Sequence, residues 1–151
     1  NVLIDRRYSM RLPEQQLWDR MRSNVLHRDS VWIERIESMV STGLPDVHAI
    51  RKGSVSWTEL KCAARWTKRA NTPLLGVAKG LSIDQRNWHL NWTNHGGGSF
   101  IVIGIKDMDD HWCIPGALAD HVNMASVEDL NDMACAKGVG PKFRIDYISF
   151  L

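Results

Sequence analysis

Gly43-Leu44-Pro45-Asp46 opens a stretch that passes through Lys52-Gly53 and ends in Trp57-Thr58-Glu59-Leu60-Lys61. Read as a two-residue turn, Lys52-Gly53 folds Asp46–Arg51 back on Ser54–Cys62 as a β-hairpin. The register then sets Asp46 directly opposite Glu59, with Cβ atoms roughly 5 Å apart. Side chains alternate along a strand, so Lys61 shares the Glu59 face two residues on. Two carboxylates held this close repel each other unless something positive lies between them. A divalent cation with oxygen ligands is the natural occupant, and the Lys61 ammonium adds further positive charge.

An ordinary surface hairpin with scattered charges would carry these residue types without this register. The run Gly43-Leu44-Pro45-Asp46 followed by Glu59-Leu60-Lys61 resembles the PD-(D/E)XK nuclease superfamily, whose signature is an Asp and then Glu-x-Lys on the next strand. With Arg35-Ile36-Glu37 upstream and Gln85-Arg86-Asn87-Trp88 downstream, the pattern is similar to the phage-encoded branch related to Holliday-junction resolvases and VRR-NUC domains. The likeness covers about residues 14 to 105. It implies an α/β, restriction-endonuclease-like core, a central mixed β-sheet flanked by helices.

The rest of the chain fits one domain spanning 1–151, with a core at about 12–106 and a C-terminal extension at about 107–151. A 44% hydrophobic and 24% charged composition is that of a globular chain with a real core. No run approaches the roughly 20 apolar residues of a membrane span, and the N-terminus shows no signal-peptide pattern. Cys62, Cys113 and Cys135 have no CxxC spacing, which argues against a disulfide framework or a zinc site and for an intracellular, reducing setting.

Periodicity predicts a helix over about 12–27, with Pro13 in its first turn, and a strand over 31–39. The hairpin follows, then a loop or flap from Ala63 to Gly80 containing Pro73 and Gly76. Ser82 and Gln85 form a capping-box pattern for a helix to about His95. Gly96-Gly97-Gly98 ends it before an apolar strand over 100–105. A turn at 107–110, a strand at 111–114, a helix at 126–136 and an edge strand at 143–150 complete the reading. The glycine triplet precedes a strand and lacks a following Gly-Lys-Ser/Thr, so it is no phosphate loop.

Net charge is +2, but unevenly spread. From Arg51 to His89 there are eight Lys or Arg against Glu59 and Asp84, whereas 107–132 holds seven acids and no Lys or Arg. Lys and Arg contacts carry phosphate-backbone binding, so the basic stretch is a candidate DNA footprint. Its members are Arg65, Trp66, Lys68, Arg69, Lys79 and Arg86. Arg65, Trp66, Lys68 and Arg69 interleave charge with an aromatic ring, which suits either strand contact or a plain solvated loop.

The resemblance implies phosphodiester hydrolysis with Mg²⁺, or Mn²⁺ as a substitute. Asp46, Glu59 and the Leu60 carbonyl would be the metal ligands. Lys61 would orient or deprotonate the attacking water, or stabilise developing negative charge. A further acid is expected from Glu14, which otherwise serves the helix dipole, or from Glu37, which otherwise pairs with a surface Arg. Glu34 fits less well. Gln85 is a site candidate or simply a cap for its own helix. Trp57 falls on the Asp46/Glu59 side, and Trp88 and Trp92, four apart, read as core packing. His48, His89, His95 and His111 have no ligand spacing such as HExxH. The implied partner is DNA, branched as in four-way junctions, and the implied assembly a homodimer. Other readings are a nuclease for linear, flapped or single-stranded DNA, and a catalytically silent DNA-binding module.

Overall fold

The computed structural model describes residues 13–25, 31–38, 40–106 and 110–138. Lys52 (φ 48°) and Gly53 (φ 83°) both lie in the left-handed region, as a type I′ turn demands, which suits its twist to that of the strands it joins. β2 (Val47–Arg51) and β3 (Ser54–Ala63) therefore pair antiparallel with Val47 opposite Thr58 and Arg51 opposite Ser54. That is the register the sequence predicts. Asp46 stands one residue before β2, and Glu59 one residue beyond the last paired position of β3.

β1 (Val31–Arg35) pairs antiparallel with β2 on the outer side, ending at Arg35 against Val47. After β3 the chain crosses over through α2 (Gly76–Lys79) and α3 (Ile83–Asn94) and returns as β4 (Gly98–Ile105), parallel to β3. β5 (His111–Pro115) and β6 (Ala136–Gly138) extend the sheet antiparallel, giving one six-stranded mixed sheet in the order β1-β2-β3-β4-β5-β6. From Ser99 to Ile105 every residue of β4 is buried. A strand covered on both faces needs no polar alternation, and the apolar run Phe100–Ile105 has none.

Two helical layers do the covering. On one face α1 (Pro13–Val25) sets Leu17, Trp18 and Met21 against Val47, Leu60, Phe100 and Val102. On the other, Ile101, Ile103, Ile105, Trp112 and Ile114 meet Leu74, Leu75, Leu81, Val122 and Leu130. The last two come from α4 (Ala119–Val122) and α5 (Val127–Met133); a 3₁₀ turn at Gly116–Leu118 leads into α4.

The structure differs from the sequence expectations at several boundaries. The helix expected over 126–136 stops at Met133, because Cys135 turns its N–H to the Cys113 carbonyl (2.9 Å) and Ala136 joins the sheet. The 63–80 segment is a loop as expected, but it contains α2 and is pinned. Leu74 and Leu75 are buried, Leu74 N donates to the Ala125 carbonyl (3.0 Å), and the Asn123 amide bonds both Leu81 N (2.6 Å) and Leu81 O (2.9 Å). The turns from 116 to 122 had no expectation. The 143–150 strand, and the parts of the expected turn at 107–109, lie outside the described residues, as do Leu12 and Met39. Among the described residues no helix is long and apolar enough to cross a membrane.

Candidate active site

The site forms where β2 ends and β3 continues without it. Past Thr58 the edge of β3 has no backbone partner from β2, and the Asp46 side chain takes that place: its Oδ2 accepts from Leu60 N at 3.0 Å. A strand residue points its N–H and C=O to the same side, so the Leu60 carbonyl emerges on the Asp46 edge as well. Asp46 is fixed from behind, its own carbonyl accepting from Ile36 N at 2.6 Å. The loop ahead of it is held against α3. Gly43 has φ +95°, and a Cβ there would lie 2.6 Å from the Asp84 carbonyl oxygen. Only glycine permits that approach.

Glu59 is 1% exposed, on the face of β3 that looks toward α3. Lys61, on the same face, brings Nζ to 3.1 Å from Glu59 Oε1. Gln85 completes the group in a double role. Its Oε1 accepts from Ser82 N (2.9 Å) while Ser82 Oγ accepts from Gln85 N (3.1 Å), closing the capping box. Its Nε2 donates to Glu59 Oε1 at 2.5 Å. Cap and site residue were rival readings of Gln85; its amide closes the cap and also bonds Glu59. The two uses also fix the amide's orientation, since a flip would set donor against donor at Ser82 N.

Burial raises the Glu59 pKa to about 8, and the Asp46 charge pushes the same way. Lys61, by charge and by hydrogen bond, only partly offsets them. Burial also raises Asp46, against the lowering effect of its Leu60 bond, Lys61 and Arg35. Among the described residues, Glu59 Oε2 is buried with no hydrogen-bond partner. An orphaned carboxylate oxygen beside a second carboxylate and a strand-edge carbonyl is an all-oxygen donor set short of positive charge, which fits a hard divalent cation. Among the described residues no three His, Cys, Asp or Glu side chains converge as a metal cluster. The oxygens grouped there belong to two carboxylates and a backbone carbonyl.

The other candidates fall at different distances from this centre. Glu14, in the first turn of α1, is near enough for its charge to raise Glu59, and Glu37, exposed after β1, raises Asp46. Glu34 is exposed on β1, opposite His48. Arg35 was not expected at the site, yet its charge reaches Asp46, and its Nη1 donates to Gln15 Oε1 on α1. His89 is fully buried, with Nδ1 2.8 Å from Ser99 Oγ, and burial and the Lys61 charge lower its pKa to about 4. The ring is thus held neutral, with its hydrogen bond to Ser99 inside the core. Nothing in the sequence pairs His89 with Ser99, which the parallel crossover brings together.

Arg65, Trp66, Lys68, Arg69 and Lys79 line one groove of about 520 Å³ floored by Leu74 and Leu75. Trp66 is 38% exposed and sets its ring edge-on to Trp112 (5.7 Å). Arg86 does not line this groove; it is half-buried on α3. Trp57, Trp88 and Trp92 pack as one aromatic group, Trp88 and Trp92 stacked at 5.2 Å and both meeting Trp57 edge-on.

No protein-family model matches the chain, and no curated protein matches it in sequence. Among solved structures it resembles Hjc, a Holliday junction resolvase from the archaeal hyperthermophile Archaeoglobus fulgidus. The TM-score is 0.50 at 13% identity, over 79% of this chain and 89% of that one. At that identity the likeness is one of fold: an α/β mixed sheet flanked by helices, arranged as in that resolvase.

Proposed function

We propose that this protein is a metal-dependent endodeoxyribonuclease of the PD-(D/E)XK type that cuts branched DNA such as Holliday junctions. The observation that carries the reading is Glu59, buried with an orphaned oxygen and flanked by Asp46, Lys61 and Gln85. A core that only had to be stable would not keep two carboxylates and a lysine in this relation. The segments 35–37, 43–46, 59–61 and 85–88 further support the phage-encoded branch.

Asp46, Glu59 and the Leu60 carbonyl would hold Mg²⁺, with Mn²⁺ as substitute. When bound, the ion supplies Lewis-acid polarisation of the attacked phosphate and a water of lowered pKa. Lys61, held at 3.1 Å from Glu59 Oε1, would donate to the attacking water or to the phosphate oxygens as negative charge develops. Gln85 fixes the Glu59 carboxylate by its 2.5 Å bond and so sets the direction of the free oxygen. Arg35 tempers the negative charge around Asp46. The groove of Arg65, Lys68, Arg69 and Lys79 suits the phosphate backbone beyond the cut. Paired cuts across a junction need two such centres, so we propose a homodimer as the working form.

The test is a cleavage assay at low salt with Mg²⁺ on a four-way junction, a flap, a linear duplex and a single strand of shared sequence. Paired nicks on the junction, lost in Glu59→Gln, are expected. Equal cutting of all substrates would keep the metal chemistry and move the function to general DNA degradation. Tight binding without cleavage under Mg²⁺ or Mn²⁺ would overturn the enzyme reading and leave a DNA-binding module.

A further inference from the structure

A row of aromatic rings runs outward from the proposed catalytic pair across three strands. Trp57 is two residues from Glu59 on the same face of β3. His48, its direct partner on β2, stacks on it with centroids 4.7 Å apart and planes 27° from parallel. Trp32 on β1 meets His48 edge-on at 5.8 Å. On the other side of Trp57, Trp88 and Trp92 of α3 form a stacked pair at 5.2 Å. The five rings brace one another in stacked and edge-to-face contacts, which fixes their orientation.

The row is not core. Trp32 is 52% exposed, His48, Trp57, Trp88 and Trp92 are each half-buried, and Val55 on the same face is 37% exposed. A tryptophan left this open on an edge strand costs stability and solubility, and such a patch marks a binding surface. Its surroundings point to one occupant. The strands and helix that carry the row, with the hairpin turn between them, hold five Lys or Arg (Arg35, Arg51, Lys52, Lys61 and Arg86) against Glu34, Asp84 and Glu59, the last in the proposed catalytic group. The exposed face of α3 beside Trp88 and Trp92 carries Asn87 and Asn91, amides able to bond base edges. Glu34, exposed opposite His48, is the acid on this face of β1.

We propose that Trp32, His48, Trp57, Trp88 and Trp92 form a stacking platform for unpaired bases of DNA, seating a short single-stranded segment next to the scissile phosphate. The inference rests on the nuclease reading and deepens it. The substrate class becomes DNA with unpaired nucleotides beside the cut, as at an open junction or a flap, and uninterrupted duplex becomes the poorer ligand. Aromatic platforms bind bases without demanding a sequence, because every base has a π-face.

The experiment measures binding in EDTA, where nothing is cut. The probes are a fluorescein-labelled oligothymidylate, an abasic strand of the same length, and a blunt duplex; a junction cleavage assay runs alongside. Oligothymidylate should quench tryptophan fluorescence and bind about tenfold or more tighter than the abasic strand, which has the same charge and no bases. Trp32→Ala should lose about tenfold for oligothymidylate and under twofold for duplex, and Trp32→Phe should restore most of the loss. Equal binding of abasic and thymidylate strands, or an unchanged Trp32→Ala, overturns the platform even if Glu59→Gln abolishes metal-dependent cleavage. Base-dependent binding through Trp32 in a protein that cuts nothing keeps the platform and removes the nuclease reading. A change in sedimentation of Trp32→Ala without a change in strand affinity would assign the face to a second copy of the chain and overturn the proposal.

Discussion

Glu59 sits almost out of reach of water, and its charge state has to be settled by its neighbours. Burial and Asp46 raise its pKa to about 8, against the 4.5 of an ordinary glutamate. Between those values the folded state holds a proton that the unfolded chain has released, so stability falls as pH rises through this window. Glu59→Gln keeps the shape of the protonated acid and removes the titration. We expect the variant to melt above the wild type at pH 8 in chelator, with the gap closing toward pH 4.5; thermal denaturation across that range checks it. A wild type that gains stability from pH 5 to 8 in chelator would contradict the burial argument. Mg²⁺ should stabilise the wild type at pH 8 and leave Glu59→Gln unmoved. For chemistry, Lys61→Met should cost about 10²- to 10⁴-fold in cleavage rate, the usual range for a positioned proton-transfer or charge-stabilising group.

At the scale of elements, the hairpin and α3 carry the candidate site, and both were legible for local reasons. Lys52-Gly53 admits a left-handed pair, and a two-residue turn leaves one register, so Asp46 and Glu59 fall opposite each other. Ser82 and Gln85 spell a capping box three residues apart. What stayed hidden depends on contacts between distant segments. Ala134-Cys135-Ala136 continues a helical pattern, and only pairing with β5, a distant contact that local propensity does not register, draws it into the sheet. His89 with Ser99, and Arg35 with Asp46, are likewise products of packing. The double use of Gln85 yields a separable pair of variants. Gln85→Ala should lose both contacts and cost about 1–2 kcal/mol by denaturant unfolding. Gln85→Glu retains a capping acceptor but sets a carboxylate against Glu59, so it keeps the cap and should lose cleavage at least as far as Gln85→Ala. If Gln85→Glu cleaves like the wild type, the 2.5 Å bond to Glu59 is of no consequence to the site.

At the scale of the molecule, two surfaces diverge from the proposed catalytic group. One is the groove lined by Arg65, Lys68, Arg69 and Lys79, reached through the end of β3; the other is the aromatic row over β1 and β2. Phosphate contacts release counterions and base stacking does not, so the two surfaces separate by their response to salt. Each duplex phosphate neutralised contributes about 0.9 to the slope of log affinity against log salt. Replacing Arg65, Lys68 and Arg69 together by Ala should therefore flatten that slope for duplex by up to about 3 and weaken duplex, flap and junction alike. The fold should survive, because these side chains are exposed and the loop is anchored through Leu74, Leu75 and Asn123. Fluorescence anisotropy over a salt series reads the effect. An unchanged slope would take the phosphate backbone away from this groove and leave its cations as solvated surface, whereas a reduced slope with base-dependent binding intact would show the two surfaces acting on different parts of one substrate.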